Sequence, residues 1–497
     1  MKNFKLLMVA LTLYSYNALA NNLTISNLMR VLPTSSNTIK FDVSWDNSWD
    51  YSLNHDALWI YVKFRECGSS TWNHALLSQV MSDHILSANL SFAKPILSTD
   101  RWGNSGNFNN GCLIKRSNTG SGAISGTVNL KIVGSTSGVS FNESTLYDIQ
   151  VFGIEMVQVP QGVASIGDGN QFVSYSGTGS SPKIISSESS TPIFTNSYYA
   201  WNTTIPASYP KGFNEFYCMK YEITQGQYVD FLNNIGSQAS QRFYLTNYPT
   251  ELTNSMNGIS ISSGQYITNG TVVGDAKDRA CNFLSVNDVL AFLDWAALRP
   301  MTELEYEKAC RGQGGTITDQ YAWGSTTAVD CNAVSGSSSG VEVSTTPGSN
   351  CQINNENTAG GLFAGLRSGP VAVGIFARSL PVATVTRENT GATYWGIMEM
   401  TGNVTEMCVR VSPQGTNATP STYTGLWGDG MLSASGDANV TNWVPNPYCL
   451  RGGNWWTPSN GIMSVSNGTP FILQNSAELN YRTINDAGRY QGGRGVR

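Results

Sequence analysis

Three histidines, nine cysteines and a few closely spaced carboxylates are the residues of this 497-residue chain best able to do chemistry. All three histidines, His55, His74 and His84, precede residue 156. The remaining two thirds of the chain therefore holds neither a Ser-His-Asp nor a Cys-His nucleophile arrangement, and no imidazole site for zinc or iron. His55 and His74 read as loop or surface residues. The cysteines (67, 112, 218, 281, 310, 331, 351, 408 and 449) form no C-x-x-C pair. Scattered cysteines in an exported chain suggest disulfides, with Cys67–Cys112 and Cys331–Cys351 as plausible pairs, and the odd count leaves at least one thiol over. Glu303, Glu305 and Glu307 share one helical stretch. Glu305 is expected to be used by a helix cap, and the other two to face solvent or pair with Lys308 and Arg311.

The segment "WGIMEMTGNVTEMCV", residues 395–409, is more specific. Gly402-Asn403 favours a tight turn with positive φ, and Glu399 and Glu406 flank it. Two carboxylates with turn carbonyls between them suit a hard cation such as Ca²⁺. A hairpin turn carrying two solvated acids has the same spacing.

Three helices must position these groups. "ITQGQYVDFLNNIG" places Thr224 as N-cap, Gln227 as its returning partner and Gly236 at the C-terminus. "LSVNDVLAFLDWAALRP" repeats the device with Ser285 and Asp288. Its Val289, Phe292, Leu293 and Ala296 form a core-facing stripe, and Pro300 bars further helix. "MTELEYEKACRG" does so with Thr302 and Glu305 and ends at Gly312. Before them, residues 21–152 carry strand-like runs. In one of these, Trp59-Ile60-Tyr61-Val62-Lys63-Phe64 alternates as a strand with one buried face. This predicts an antiparallel β-sandwich-like domain, in which Trp45, Trp49, Trp59 and Trp72 serve as core anchors or as a ligand platform. Residues 313–360 read as a long low-complexity loop.

Composition sets the outer bounds. Charged residues are 13% of the chain, and the net charge of −5 supplies no basic stripe for phosphates, so nucleic acid is excluded as a partner. Lys2 and Lys5, an apolar run over Leu6–Leu13 and Ala18-Leu19-Ala20 form a signal peptide, residues 1–20, with cleavage after Ala20. The expected destination is the periplasm, cell surface or exterior. No transmembrane segment is expected in the mature chain.

In order along the chain, "EMVQVPQGVASIGDG", "MKYEITQGQYVDFLN", "FLSVNDVLAFLDWAALRPMTELEYEKACRG", "YWGIMEMTGNVTEM", "LRGGNWW" and "GGRGVR" occur. Together they resemble the sulfatase-modifying-factor family, whose founder is the formylglycine-generating enzyme. The resemblance implies a loop-rich C-type-lectin-like domain over residues 153–497, which with the sandwich-like domain before it makes the chain α+β. It also implies a structural Ca²⁺ held by the side chains of Glu399 and Glu406 and the carbonyls of Gly402 and Val404.

The family's oxidases carry two cysteines, five residues apart, shortly after the Gly-Gly-Ser/Asn-aromatic motif. Those positions fall here at about Thr457 and Ile462, and no cysteine follows Cys449. The sulfoxide-synthase relatives use three histidines on iron, and this domain has none. Copper and iron are therefore not expected. Related lectin-like domains serve as binding scaffolds, including the variable proteins of diversity-generating retroelements, which vary the stretch just before the chain end.

Arg451-Gly452-Gly453-Asn454-Trp455 reads as scaffold, and Arg494 and Arg497 as structural ion-pair donors. Residues 456–490 between them lack helix or strand period. Trp456, Asn460, Met463, Phe471, Asn475, Asn480, Tyr481, Asn485 and Tyr490 are candidate contacts for a protein or glycan ligand; an ordinary surface loop has the same composition. The expectation is an exported, non-catalytic binding protein. The alternatives are an oxidase of the formylglycine-generating type and a structural part of a cell-envelope assembly.

Overall fold

The structure is a computed structural model. It describes residues 23–31, 36–96, 109–168, 182–189, 193–196, 201–243, 255–268, 277–336, 342–353, 369–380, 385–411, 421–444, 448–456, 465, 469–473 and 488–497. The leading residues 1–20 lie outside these.

The first part of the chain supplies strands β1 (Thr24–Arg30), β2 (Thr38–Asp50), β3 (Asp56–Glu66), β4 (Asn73–Leu77), β5 (Cys112–Arg116), β6 (Gly120–Ser135) and β7 (Tyr147–Val159). β2 runs antiparallel to β6, and β3 to β5 and β7. A core of Ile39, Phe41, Val43, Trp45, Leu58, Ile60, Val62, Phe64, Val128 and Leu130 lies between these two layers, as a sandwich requires.

β3 departs from the expectation of one buried face. Residues 56–64 are all buried. Leu58, Ile60, Val62 and Phe64 fill the sandwich core. The alternate residues Ala57, Trp59 and Tyr61 belong to a second core, shared with the helices that follow. Side chains alternate across a strand, so β3 is a wall common to both cores. The tryptophans follow suit. Trp45, Trp49 and Trp59 are buried, while Trp72 is half-buried under the Arg65 guanidinium at 4.6 Å. The core-anchor reading holds for the first three.

The later part adds β8 (Phe216–Met219), β9 (Arg299–Thr302), β10 (Glu406–Val409), β11 (Tyr448–Arg451), β12 (Thr469–Leu473) and β13 (Gly495–Val496). One hydrogen-bonded sheet runs β1-β2-β6-β4-β3-β7-β8-β13-β9-β10-β11-β12. The expected boundary between residues 152 and 153 falls inside β7, which pairs with β3 along one edge and with β8 along the other. Polar contacts reinforce the join. Trp59 Nε1 donates to Ala296 O at 2.8 Å, Lys63 Nζ to Trp295 O at 2.8 Å and Asn54 Nδ2 to Trp395 O at 2.8 Å. The Arg497 guanidinium lies between the rings of Trp59 and Trp427, 4.1 and 4.3 Å from their centroids.

The three helices form where their caps lie: α1 (Gln225–Asn234), α2 (Val286–Trp295) and α3 (Glu303–Arg311). In each, the N-cap hydroxyl accepts from the third residue's N–H, and that residue's side chain accepts from the N-cap N–H. Such a box satisfies two otherwise orphaned donors. Gly236 follows the C-cap of α1 with φ 61°, and Gly312 caps α3 with φ 72°. At Gly312 a Cβ would run into the Tyr394 ring. Val289, Phe292, Leu293 and Ala296 are buried, as their spacing demands. The segment read as a low-complexity loop is partly built. Among its described residues, Tyr321, Trp323, Cys351 and Ile353 form a small core.

Candidate functional site

The turn between residues 399 and 406 is more constrained than its sequence shows. Gly402 and Asn403 take positive φ, 90° and 60°, as expected; Glu399 does so as well, at 52°. A left-handed glutamate is strained, and here that strain accompanies a carboxylate turned into the core. Both acids are buried, so the solvated-hairpin alternative does not hold.

A third carboxylate, which sequence reasoning missed, joins them. Glu222 follows β8 and accepts from Asn403 Nδ2 at 2.6 Å and Val404 N at 3.0 Å, which pins the turn. Glu399 Oε1 accepts from Gly374 N at 2.8 Å. Glu406 Oε1 accepts from Arg494 Nη2 at 2.8 Å and Nε at 3.1 Å. Arg494 also donates to the carbonyls of Met219 at 3.2 Å and Met398 at 2.9 Å, confirming it as an ion-pair donor that ties four segments together. Burial pushes all three carboxyls above the usual range, Glu399 to about 8, against the opposing pull of Arg494.

The remaining oxygens, Glu399 Oε2 and Glu406 Oε2, are buried without a hydrogen-bond donor. Among the described residues nothing donates to the carbonyls of Gly402 or Val404. Among these residues, too, no three His, Cys, Asp or Glu side chains converge as metal ligands. A cation here would therefore take two carboxylates and backbone carbonyls. That all-oxygen set fits Ca²⁺ and suits neither copper nor zinc.

The scaffold reading of Arg451–Trp455 holds in detail. Arg451 pairs with Glu303 at 2.6 Å and reaches Glu307 at 3.5 Å. Gly452 and Gly453 have φ of 83° and 69°. A Cβ on Gly452 would meet the Glu406 carboxylate and the Met400 carbonyl, so this turn is packed directly on the acidic one. Trp455 is buried.

Just beyond, Trp456 is half-buried. Its ring stands edge-on to Trp455, with centroids 5.6 Å apart, and lies 5.8 Å from Tyr490. The Arg489 guanidinium, which sequence reasoning missed, sits 5.7 Å from the Trp456 ring centroid. Two of the nine candidate contacts, 34 positions apart in the chain, are thus brought together. Phe471 lies in β12, the last strand beside β11. Asn460, Met463, Asn475, Asn480, Tyr481 and Asn485 fall outside the described residues, as do Thr457 and Ile462. Thr405 N donates to Tyr490 O at 2.9 Å, which stitches the tail to the acidic turn.

The other chemical candidates are structural. Glu303, Glu305 and Glu307 do not face solvent. All three are fully buried. Glu303 binds Arg451, Glu305 grips Arg299 through two hydrogen bonds of 2.8 and 2.6 Å, and Glu307 pairs with Arg311 and accepts from Gly167 N. His55 and His74 are buried rather than superficial. His55 Nε2 shares a hydrogen bond with Tyr217 Oη at 2.9 Å, and burial lowers its pKa to about 4.

All nine cysteines are free thiols, so neither expected disulfide is formed. Cys67 is exposed and Cys112 buried. Cys331 and Cys351 are neighbours, joined by a backbone hydrogen bond of 2.9 Å. Burial pushes the thiols of Cys218 and Cys449 up to about 12 and that of Cys331 to about 11, and those of Cys281, Cys310, Cys351 and Cys408 upward as well.

No helix of the described residues is long and apolar enough to cross a membrane. No curated protein matches the chain. The family model for the sulfatase-modifying factor enzyme 1-like domain matches residues 154–480, which hold the three capped helices, the acidic turn and the Gly452-Gly453 turn. The chain belongs to the sulfatase-modifying-factor family.

Proposed function

We propose that this chain is an exported, non-catalytic member of its family that presents a ligand-binding surface on residues 456–490. One observation carries the reading. Each of the seven thiols after residue 153 is buried and held as the neutral thiol, and no cysteine or histidine lies in the C-terminal stretch. Thiolate or imidazole redox chemistry needs an accessible donor, and the domain offers neither. Trp456 and Tyr490 supply what a recognition surface uses instead: large, rigid, half-exposed rings mounted on a buried scaffold.

Glu399 and Glu406 would hold a Ca²⁺ ion with their carboxylates and Gly402 and Val404 with their carbonyls, and the ion would supply positive charge to this buried acidic cluster. The Gly452-Gly453 segment rests on the same turn. The ligand is a protein or a glycan.

Sequencing this gene from closely related strains tests the reading. Substitutions concentrated in residues 456–490 support it, and substitutions spread evenly over the domain refute it. A glycan and surface-protein binding screen with the wild type and a Trp456→Ala/Tyr490→Ala variant is the direct complement. A hit that survives both substitutions unchanged removes the proposed surface.

A further inference from the structure

A cleft of about 390 Å³ opens where β1 and β7 meet the start of α1. It is remote in sequence from residues 456–490. The volume falls in the range of small-molecule sites, which favour such junctions between modules. Ile25, Phe152 and Ile154 line it from the strands, Tyr61 from β3 and Trp295 from the end of α2. Gly153 keeps the wall close. A Cβ there would stand 3.0 Å from Leu23 and 3.1 Å from Ile25.

Two carboxylates on the lining behave differently. Glu155 is buried and held by Lys220 at 3.2 Å. Asp230, on α1, is solvent-exposed, and no described residue gives it a hydrogen bond or an ion pair. The atoms packed around it nevertheless push its carboxyl up to about 6. Asp230 lies on the lining of the cleft itself, open to solvent from its mouth. Lys277 and Asp278 stand at the same rim with opposite charges. Lys63, 5.2 Å from the Trp295 ring centroid, directs its ammonium to the carbonyls of Trp295 and Gly430.

We propose that this cleft binds a small organic cation, an ammonium or guanidinium on an apolar body, with Asp230 as the charge partner and the half-buried Leu23, Ile25 and Phe152 as the apolar wall. An anion would be repelled by Asp230. A neutral ligand would bury the carboxylate without a partner, which is costly. A cation gains a charge-assisted hydrogen bond while its body covers the apolar wall. The site is independent of the C-terminal surface, and neither reading depends on the other.

The test is calorimetric titration of the full mature protein at neutral pH with choline, n-butylammonium and the neutral carbon isostere of choline. Saturable binding of at least one cation is expected, with the neutral isostere about tenfold weaker or worse. Asp230→Asn should weaken the cation by a similar factor, and Asp230→Glu should restore most of it. Binding of neither cation overturns the proposal. So does equal binding of the neutral isostere, or an unchanged affinity in a folded Asp230→Asn protein.

Discussion

Trp59→Ala tests whether the strand module and the family domain fold as one unit. Trp59 leaves β3 on the face opposite the sandwich core and enters the core built around α1 and α2. An aromatic side chain of this size buries roughly 150–250 Å², about 4–6 kcal/mol at ~25 cal/mol per Å². The substitution also forfeits the 2.8 Å hydrogen bond to Ala296 O, about 1 kcal/mol, and one of the two rings flanking Arg497. Partial collapse of the cavity offsets some of this, which leaves a cost of about 3–5 kcal/mol. Urea unfolding followed in parallel by tryptophan fluorescence and far-ultraviolet circular dichroism reads the effect. A single cooperative transition is expected, moved to lower urea by both probes equally. Trp59→Phe should cost about 1–2 kcal/mol, since it keeps most of the contact and loses the hydrogen bond. Two separate transitions, with only the first displaced, would refute the shared-wall reasoning, and so would a total cost below about 1 kcal/mol.

His55 gives a pH signature. Its folded pKa of about 4 lies below the ordinary 6.5, chiefly through burial, so the unfolded chain takes up the proton first. Stability is therefore complete above pH 6.5 and falls as pH drops toward 4, by up to about 3 kcal/mol. His55→Gln should flatten the melting-temperature profile over that interval; an unchanged slope contradicts the assignment. Added Ca²⁺ should raise the melting temperature, with about 2.7 kcal/mol of stabilisation at a hundredfold excess over Kd, and Glu399→Gln should abolish the rise. A melt indifferent to Ca²⁺ and to chelator removes the metal proposal. In the native reduced protein one thiol, Cys67, should react quickly with an aromatic disulfide reagent, and the other eight only on unfolding. A second fast thiol shows that the domain's sulfurs are more open than described.

Much of the scaffold was legible because it is written in local chemistry. A capping box needs only residues three apart, so Thr224/Gln227, Ser285/Asp288 and Thr302/Glu305 could be placed without tertiary information. The Gly402-Asn403 turn and the buried Trp455 were readable for the same reason. Features set by distant partners were not. Period-2 alternation in β3 marks one apolar face, and nothing local says that Trp59, Tyr61 and Lys63 will be covered by α2 and its flanks. The burial of Glu303 and Glu307 depends on Arg451, nearly 150 residues away, and a carboxylate on an isolated helix has no reason to point inward. Glu222 and Arg489 were missed because each acquires its role only when β8 or the chain end folds against a remote turn. Within the candidate contacts, Trp456 and Tyr490 meet because both flank the stretch where it leaves and rejoins the scaffold.

The central claim is that this fold has lost its redox donors and grips rather than oxidises. Oxygen uptake by the purified mature protein with a cysteine-containing peptide, after incubation with copper and removal of excess metal, tests it most directly. The account predicts no peptide-dependent oxygen consumption and no copper retained in proportion to protein. One copper held per chain, with oxygen consumed at a rate that scales with peptide, would contradict it.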